Sequence, residues 1–510
     1  MSEEWPPIHT EFPPSGFSGG DYDFVVIGGG TAGVAGALLG AQLGAKTLLV
    51  ERTDGLGGES LERGTIPRAT LLSASQARAA AYSQMRFGLP EIVDFPHASV
   101  RKLFKHVKRI QDVVGEEVEL EYFERRGIEV LLNSEAKFIT PDTLDINGHP
   151  VNFKKVLVST GSIVDTPREY RKVGPLTLHT VWNLTVIPEY IVIIGAGREA
   201  VEWAQLWRRM GASVTVVAGQ SGQVLPSDDP ELGDMCKAIL QAEGIEIISG
   251  KTRKLDVSGQ SGQGKVQGDV DLTLPDGTHR NASHLLIATG RMPSMDGLNL
   301  EDGEIEFDGK TGYISVDETM RSTSNSKVYA AGEVLGKYPF THTAQLQGWV
   351  AAEHAFTGAS RKNARFKFNP DRISWATMIS PELAHVGISE SEARRRFAKK
   401  VVVHKWDAGA LDRAVIEDHA FGFVKIICRG DIIIGAELAS PNASDLIQIF
   451  ALAVQTEATI QSIIDSMAVH PSYASSTLWL GIESFYETWL TPKYRKGQKK
   501  LSGNINLERM

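Results

Sequence analysis

From Asp23 to Glu51 the chain reads DFVVIGGGTAGVAGALLGAQLGAKTLLVE: an apolar run, a glycine turn, a stretch of small residues, then a second apolar run closed by an acid. Short apolar runs bounded by glycine mark strands buried on both faces, and the small-residue stretch suits a helix packed closely on them. The pattern predicts strand, turn, helix and strand. It recurs between Tyr190 and Ala218 as YIVIIGAGREAVEWAQLWRRMGASVTVVA. A shift of 167 positions lays Gly28 on Gly195, Gly30 on Gly197, Gly33 on Ala200 and Gly44 on Gly211 without a gap.

That spacing has a physical reason. The first glycine makes the tight turn, the second lets a pyrophosphate approach the backbone, and the third, or an alanine, lets helix and strand pack closely. The helix N-terminus then offers free N–H groups and a positive dipole to the phosphates. A single such motif is weak evidence; two in one frame predict two dinucleotide-binding units. They differ where a ribose would be read. The first unit ends in Glu51, an acid placed to accept hydrogen bonds from an adenosine ribose. The second ends in Ala218, and Arg198 and Glu199 intrude into its glycine turn.

Composition narrows the picture. A chain of 510 residues with 42% hydrophobic and 23% charged positions predicts two to four globular domains. Its net charge of -9 argues against a nucleic-acid binder. The two cysteines, Cys236 and Cys428, exclude a disulfide framework, a cysteine zinc site and an iron–sulfur cluster. No apolar run approaches the roughly 18 residues of a membrane span. The first twenty residues read as an irregular arm and KYRKGQKK, from Lys493, as a solvated basic tail, so the expected location is cytoplasmic. Lys102–Arg126 reads as one long amphipathic helix, Ser258–Asp269 as a hairpin tip, and Asp228, Asp229 and Glu231 as acids opening a helix. The histidines show no metal-ligand spacing.

Further motifs carry a resemblance. GLGGESLERGTIPR follows Glu51; VLVSTGS ends at Ser162 and LLIATGRMP at Pro293; VYAAGEV runs to Val334, with FTHTAQLQG after it; ISWATMISPELAHVGISESEA starts at Ile373, and HPSYASS at His470. In this order they resemble the class I pyridine nucleotide–disulfide oxidoreductases, over roughly Asp21 to Leu490. The resemblance implies an α/β chain with two Rossmann-like domains, for FAD and NAD(P), plus a C-terminal α+β dimerisation domain. Residues 21–165 and 293–368 would form the FAD domain, 166–292 the NAD(P)-type domain and 369–490 the dimerisation domain, between an arm (1–20) and a tail (491–510). It implies FAD contacts at Gly28, Gly30, Gly33, Glu51, Gly58, Ala136, Gly161, Glu333 and Thr341. NADH or NADPH would meet Gly195, Gly197, Arg198, Gly290 and Arg291. A C2 homodimer is expected.

The chain also departs from that family. Ser60 and Thr65 stand where the resemblance puts the redox-active cysteine pair, and neither can form a thiolate or a disulfide. His470 matches the catalytic histidine, but Ser475 replaces its orienting glutamate. His470 is then either a proton donor or acceptor at the flavin or a residue of a packed interface. Glu202 matches the acid of the family's lysine–glutamate pair, and Arg68 is the candidate for the lysine's place, as a functional substitute or in a salt bridge between domains. Arg198 replaces an apolar gate over the flavin. The expected activity is an FAD-dependent oxidoreductase that takes hydride from NAD(P)H and reduces a small acceptor directly, with Ser60, Thr65, Arg68, Glu202 and His470 as catalytic candidates. Two alternatives stand beside it: transhydrogenation, since GTIP at Gly64 matches soluble transhydrogenase, and a flavin-binding protein with little turnover.

Overall fold

The computed structural model describes residues 17–92, 98–252, 254–258, 269–309, 311–360, 362–476 and 479. Most of the N-terminal arm, the hairpin tip and the basic tail lie outside these residues. The chain divides into two compact units. The first takes in residues up to Ser83, Glu91–Gly222 and Ile245–Asn369; the second takes in Gln84–Pro90, Gln223–Gly244 and the residues from Pro370 on.

In the first unit, strands β1 (Gly20–Ile27), β2 (Thr47–Val50), β3 (Ile128–Leu131), β4 (Ala136–Thr140), β5 (Thr143–Ile146) and β6 (His149–Val158) form a sheet in the order β3-β2-β1-β6-β5-β4. A late strand, β17 (Val328–Ala330), adds to β6 in parallel. β1 lies between β2 and β6, both parallel to it, which explains why Phe24, Val25 and Val26 are fully buried and why its sequence does not alternate. Helix α1 (Thr31–Gln42) packs against α9 (Thr341–Thr357) through small residues; a side chain at Gly348 would strike the Ala32 carbonyl. Between them in sequence come α2 (Gly58–Glu62), α3 (Thr65–Tyr82), α4 (Val100–Gly115) and α5 (Leu120–Glu124). The single long helix expected over Lys102–Arg126 is therefore broken. α4 stops at Gly115, a short 3-10 turn follows, and Glu119 is extended before α5. Glycine is a poor helix former, and Glu116, Glu117 and Glu119 oppose the negative helix end.

The second glycine turn belongs to a separate, all-parallel sheet of the same unit, whereas the first sheet is mixed, with β4–β5 and β5–β6 antiparallel. Strands β8 (Leu176–Thr177), β9 (Tyr190–Ile194), β10 (Ser213–Val217), β11 (Glu246–Ile248) and β15 (His284–Ile287) run in the order β11-β10-β9-β15-β8, and α7 (Arg198–Met210) follows β9. A one-turn helix, α6 (Arg168–Arg171), buries Tyr170 in that core. β12 (Lys254–Ser258), β13 (Asp269–Thr273) and β14 (His279–Ala282) form an antiparallel sheet, and β7 (Ser162–Val164) pairs with β16 (Arg291–Pro293).

The second unit is an antiparallel sheet of β18 (Ser374–Thr377), β19 (Glu382–Gly387), β20 (Val401–Asp407), β21 (Phe423–Arg429) and β22 (Ile432–Ser440), in the order β18-β19-β22-β21-β20. Helix α8 (Pro230–Ala242) belongs to this unit, although it lies between β10 and β11 in the chain. Asp229 caps it by accepting from the Glu231 amide, as the acid cluster predicts. The same acids reach a buried lysine of β21. The Lys425 ammonium lies 2.7 Å from Glu437, 3.0 Å from Glu231 and 3.1 Å from Asp229. Burial pulls this lysine down, but Glu437, with Glu231 and Asp229, holds it above the ordinary lysine range.

Candidate functional site

Both glycine turns form as their spacing requires. Gly28 and Gly195 have φ of +102° and +117°, and a Cβ at either would strike a carbonyl oxygen, of Ser159 or Ala288. A Cβ at Gly33 would strike the Gly28 carbonyl, which is why the third glycine is small. The surroundings then diverge. α1 begins at Thr31 with no acid in its first turn and no side-chain cap, so its N–H groups point to open space. Glu51 turns back to accept from the amides of Gly29, at 2.6 Å, and Thr53, at 2.8 Å. α7 carries Glu199 in its first turn, and its β10 ends beside Ala218 with no acid.

One cleft opens at the carboxyl ends of β1, β2, β6 and β17. It gathers most of the residues assigned to FAD: Gly28, Gly30, Glu51, Gly58, Ala136, Gly161, Glu333 and Thr341, with Gly33 packed behind. Ser60 lines the same cleft. Its hydroxyl lies 3.1 Å from that of Thr341, and the Thr65 hydroxyl lies 3.4 Å from Thr341 on the other side. The three come from α2, α3 and the first residue of α9. Three hydroxyls joined by two mutual hydrogen bonds use two of their three protons, so one O–H remains to donate outward.

Beside this trio lies a lattice of ion pairs. Arg68 reaches Glu199 and Glu202, each at 2.7 Å. The expected Arg68–Glu202 pair forms, but with Glu199 as a second partner. Arg291, expected at the second nucleotide, pairs with Glu59 at 2.7 Å, Glu333 at 3.2 Å and Glu199 at 3.6 Å. Glu333 also accepts from the Ser162 hydroxyl. His179 meets Glu59 at 3.0 Å. Burial pushes Glu199 up, but Arg291 and Arg68 override it and hold the carboxyl below its usual range. Glu59 is likewise pushed up by burial and held low overall by His179 and Arg291. Both arginines lose by burial and gain more from their carboxylates. The Arg198 guanidinium lies over the Phe340 ring, 5.2 Å from its centroid.

Glu59, Glu199, Ser162 and His179 are the partners that sequence reasoning missed. Glu199 and Glu202 stand three apart on α7 and so share a face, a signal that could have paired them. His470 lies in the second unit, exposed, 3.5 Å from Asp412. Ser475 does not orient it, because its hydroxyl donates to the Ser472 carbonyl at 2.6 Å. Neither cysteine is in a disulfide, both are buried in the second unit, and burial pushes the Cys428 thiol up to about 12. Among the described residues no group of His, Cys, Asp and Glu could hold a metal ion, and no helix is long and apolar enough to cross a membrane.

The cleft fits FAD by its own shape. A Cβ at Gly30 would meet nothing closer than the Gly58 Cα at 3.9 Å, and one at Gly161 would meet nothing within 4 Å, so both glycines leave room in the cleft, Gly30 at the uncapped N-terminus of α1. At the second turn Gly197 likewise faces open space. Two such turns, each at the carboxyl end of parallel strands, with an antiparallel sheet to follow, define a two-dinucleotide oxidoreductase. Comparison with known proteins agrees. The sequence profile described as pyridine nucleotide-disulphide oxidoreductase matches residues 22–348, and that of the family's dimerisation domain matches 373–480. A dihydrolipoyl dehydrogenase of Thermus scotoductus is 30% identical over 476 residues, 88% of this chain and 94% of its own. A mercuric reductase of Staphylococcus aureus is 29% identical over 461 residues, 89% of this chain and 81% of its own. The crystal structure of LpdA from Mycobacterium tuberculosis aligns with a TM-score of 0.78 at 24% identity, over 90% of this chain and 99% of its own. The chain belongs to the pyridine nucleotide-disulphide oxidoreductase family, whose members use FAD and NAD(P)H.

Proposed function

We propose that this protein takes hydride from NADH or NADPH on FAD and reduces a small acceptor without a dithiol relay. The observation that carries the reading is the Ser60–Thr341–Thr65 hydroxyl trio, which stands where the resemblance calls for a thiol pair. Hydroxyls cannot shuttle electrons through a disulfide, and Cys236 and Cys428 are buried in the other unit. Gly28, Gly30, the first amides of α1, Glu51 and Ala136 would hold the adenosine and pyrophosphate of FAD, with Gly58, Gly161, Glu333 and Thr341 further along the cleft. The second turn, at Gly195 and Gly197, would hold the pyrophosphate of the nicotinamide cofactor. When bound, FAD supplies the two-electron chemistry. The chain's own contribution is positional: the spare O–H of the trio donates to an oxygen of the acceptor, such as a quinone, oxygen or another oxidised organic molecule. Arg68 and Arg291 hold fixed positive charge among four carboxylates. A homodimer through the dimerisation domain is part of the reading.

The test is anaerobic addition of NADH or NADPH to the flavin-loaded protein, followed in the visible spectrum. Rapid bleaching, reversed by an added quinone and unaffected by a thiol-blocking reagent, is expected. Flavin that stays oxidised with both nucleotides sinks the proposal and favours a flavin-binding role with little turnover.

A further inference from the structure

Within the dinucleotide cleft two glutamates sit close together with opposite surroundings. Glu51 accepts hydrogen bonds from the Gly29 and Thr53 amides and from the Thr53 hydroxyl. Glu62, the last residue of α2, also lines the cleft, yet no donor reaches its carboxyl among the described residues. Its backbone is fixed: Gln111 of α4 donates to the carbonyls of Leu61 and Glu62, at 2.9 and 2.7 Å. From that fixed point its side chain brings a carboxyl that accepts no hydrogen bond to the wall along which FAD would lie.

The charged groups around it come from every side of that wall. Glu51 and Asp54 belong to the segment between β2 and α2, Glu59 lies one turn back on α2, and Arg63 follows directly. Arg52 and Glu135 line the same cleft, and α4 presents the uncharged Gln111. Burial pushes the Glu62 carboxyl up; Arg63 pulls it down, but Glu51, Asp54 and Glu59 push it up again, to about 7. A carboxyl in such a place carries its proton in about half of the molecules near pH 7 and in most of them below it. It is then an O–H donor, whereas Glu51 beside it is engaged as an acceptor.

We propose that Glu62, in its protonated form, donates a hydrogen bond to the dinucleotide in this cleft, and that its ionisation loosens that dinucleotide. A dinucleotide offers acceptors along its whole length, in phosphate oxygens, ribose hydroxyls and ring nitrogens. An ionised Glu62 would place an unpaired negative charge against them and withdraw the donor. The proposal rests on FAD as the occupant of the cleft and is independent of the route by which electrons leave it.

Below about pH 7 the carboxyl is protonated and FAD is held. Above it, affinity falls by up to about tenfold per pH unit as the proton is lost. The FAD-loaded protein is diluted into buffers from about pH 6 to about pH 8.5, and released flavin is read by its fluorescence. Wild type is expected to release more FAD as pH rises. Glu62→Gln, which keeps a neutral donor, is expected to bind tightly with a flat profile, and Glu62→Leu about tenfold more weakly than Glu62→Gln throughout. A flat wild-type profile overturns the proposal, as does equal binding by the Gln and Leu variants. In either case NAD(P)H still bleaches the bound flavin, so the hydride chemistry stands or falls by its own test.

Discussion

At Gly28 and at Gly195 the backbone turns through nearly the same positive φ, crowded by the carbonyl of a neighbouring strand in each case. After that the two regions part. The first helix opens with Thr31 and Ala32 and leaves its N-terminus bare; the second opens with Arg198 and Glu199 and spends its first turn on ion pairs to Arg68 and Arg291. The first ribose position holds Glu51, tied to the turn itself; the second holds Ala218. Glycine spacing thus determines that a turn forms. The next two side chains and the strand end determine what that turn can receive. A nicotinamide cofactor entering the second site would meet Arg198 and Glu199 at the turn, where the first site offers Thr31 and Ala32.

Substitution at the third glycine of the first turn should have the largest effect. Gly33→Ala drives a methyl into the Gly28 carbonyl, a backbone atom that cannot swing aside. We expect a loss of about 3 kcal/mol or more and protein purified without flavin, read as thermal unfolding and the visible-to-ultraviolet absorbance ratio. The mirror change, Ala200→Gly, should cost only about 1 kcal/mol. Next comes Glu51→Ala. It leaves the Gly29 and Thr53 amides without their acceptor and should cost about 1–3 kcal/mol, seen as 10- to 100-fold faster flavin loss.

Glu199→Leu tests the charged turn. The pairs are partly exposed, with side-chain exposures of 15% for Arg68 and 29% for Glu199, so the expected loss is about 1–2 kcal/mol at neutral pH. Because the Glu199 carboxyl is held below its usual range, its contribution is present above the ordinary carboxylate value and disappears as pH falls through the lowered one. Denaturant curves of wild type and variant should differ at neutral pH and converge in acid; a constant gap would refute the ion-pair account. The smallest effect is expected from Ala218→Asp. A carboxylate at that strand end should shift preference from NADPH toward NADH by about fivefold in binding titrations.

Much of the first region was legible in the sequence because its determinants are local. Glycine spacing, apolar runs and the acid at Glu51 all fall within about thirty residues, and Cβ collisions make the glycines obligatory. The partners of Arg291 were not legible. Glu59, Glu199 and Glu333 are distant in the chain, and only the folded sheets bring them to one guanidinium. The same holds for the hydroxyl trio, whose central member, Thr341, is far in sequence from Ser60 and Thr65. The break at Gly115 was missed for a different reason. Amphipathic periodicity continues across it, so the pattern alone could not report that a glycine followed by acids ends the helix.

The placement of α8 bears on how this chain can be cut and recombined. Residues 166–292 look like a transferable cassette, bounded by recognisable turns at either end. Within that stretch, however, Gln223–Gly244 belongs to the second unit, and Asp229 and Glu231 neutralise a lysine that β21 keeps buried. Grafting the cassette into another scaffold would strand two acids in the donor segment and leave Lys425, among the described residues of what remains, with Glu437 and Glu390. A chimera that respects the chemistry must exchange β21 along with the cassette, so the heritable building block here is discontinuous in the gene.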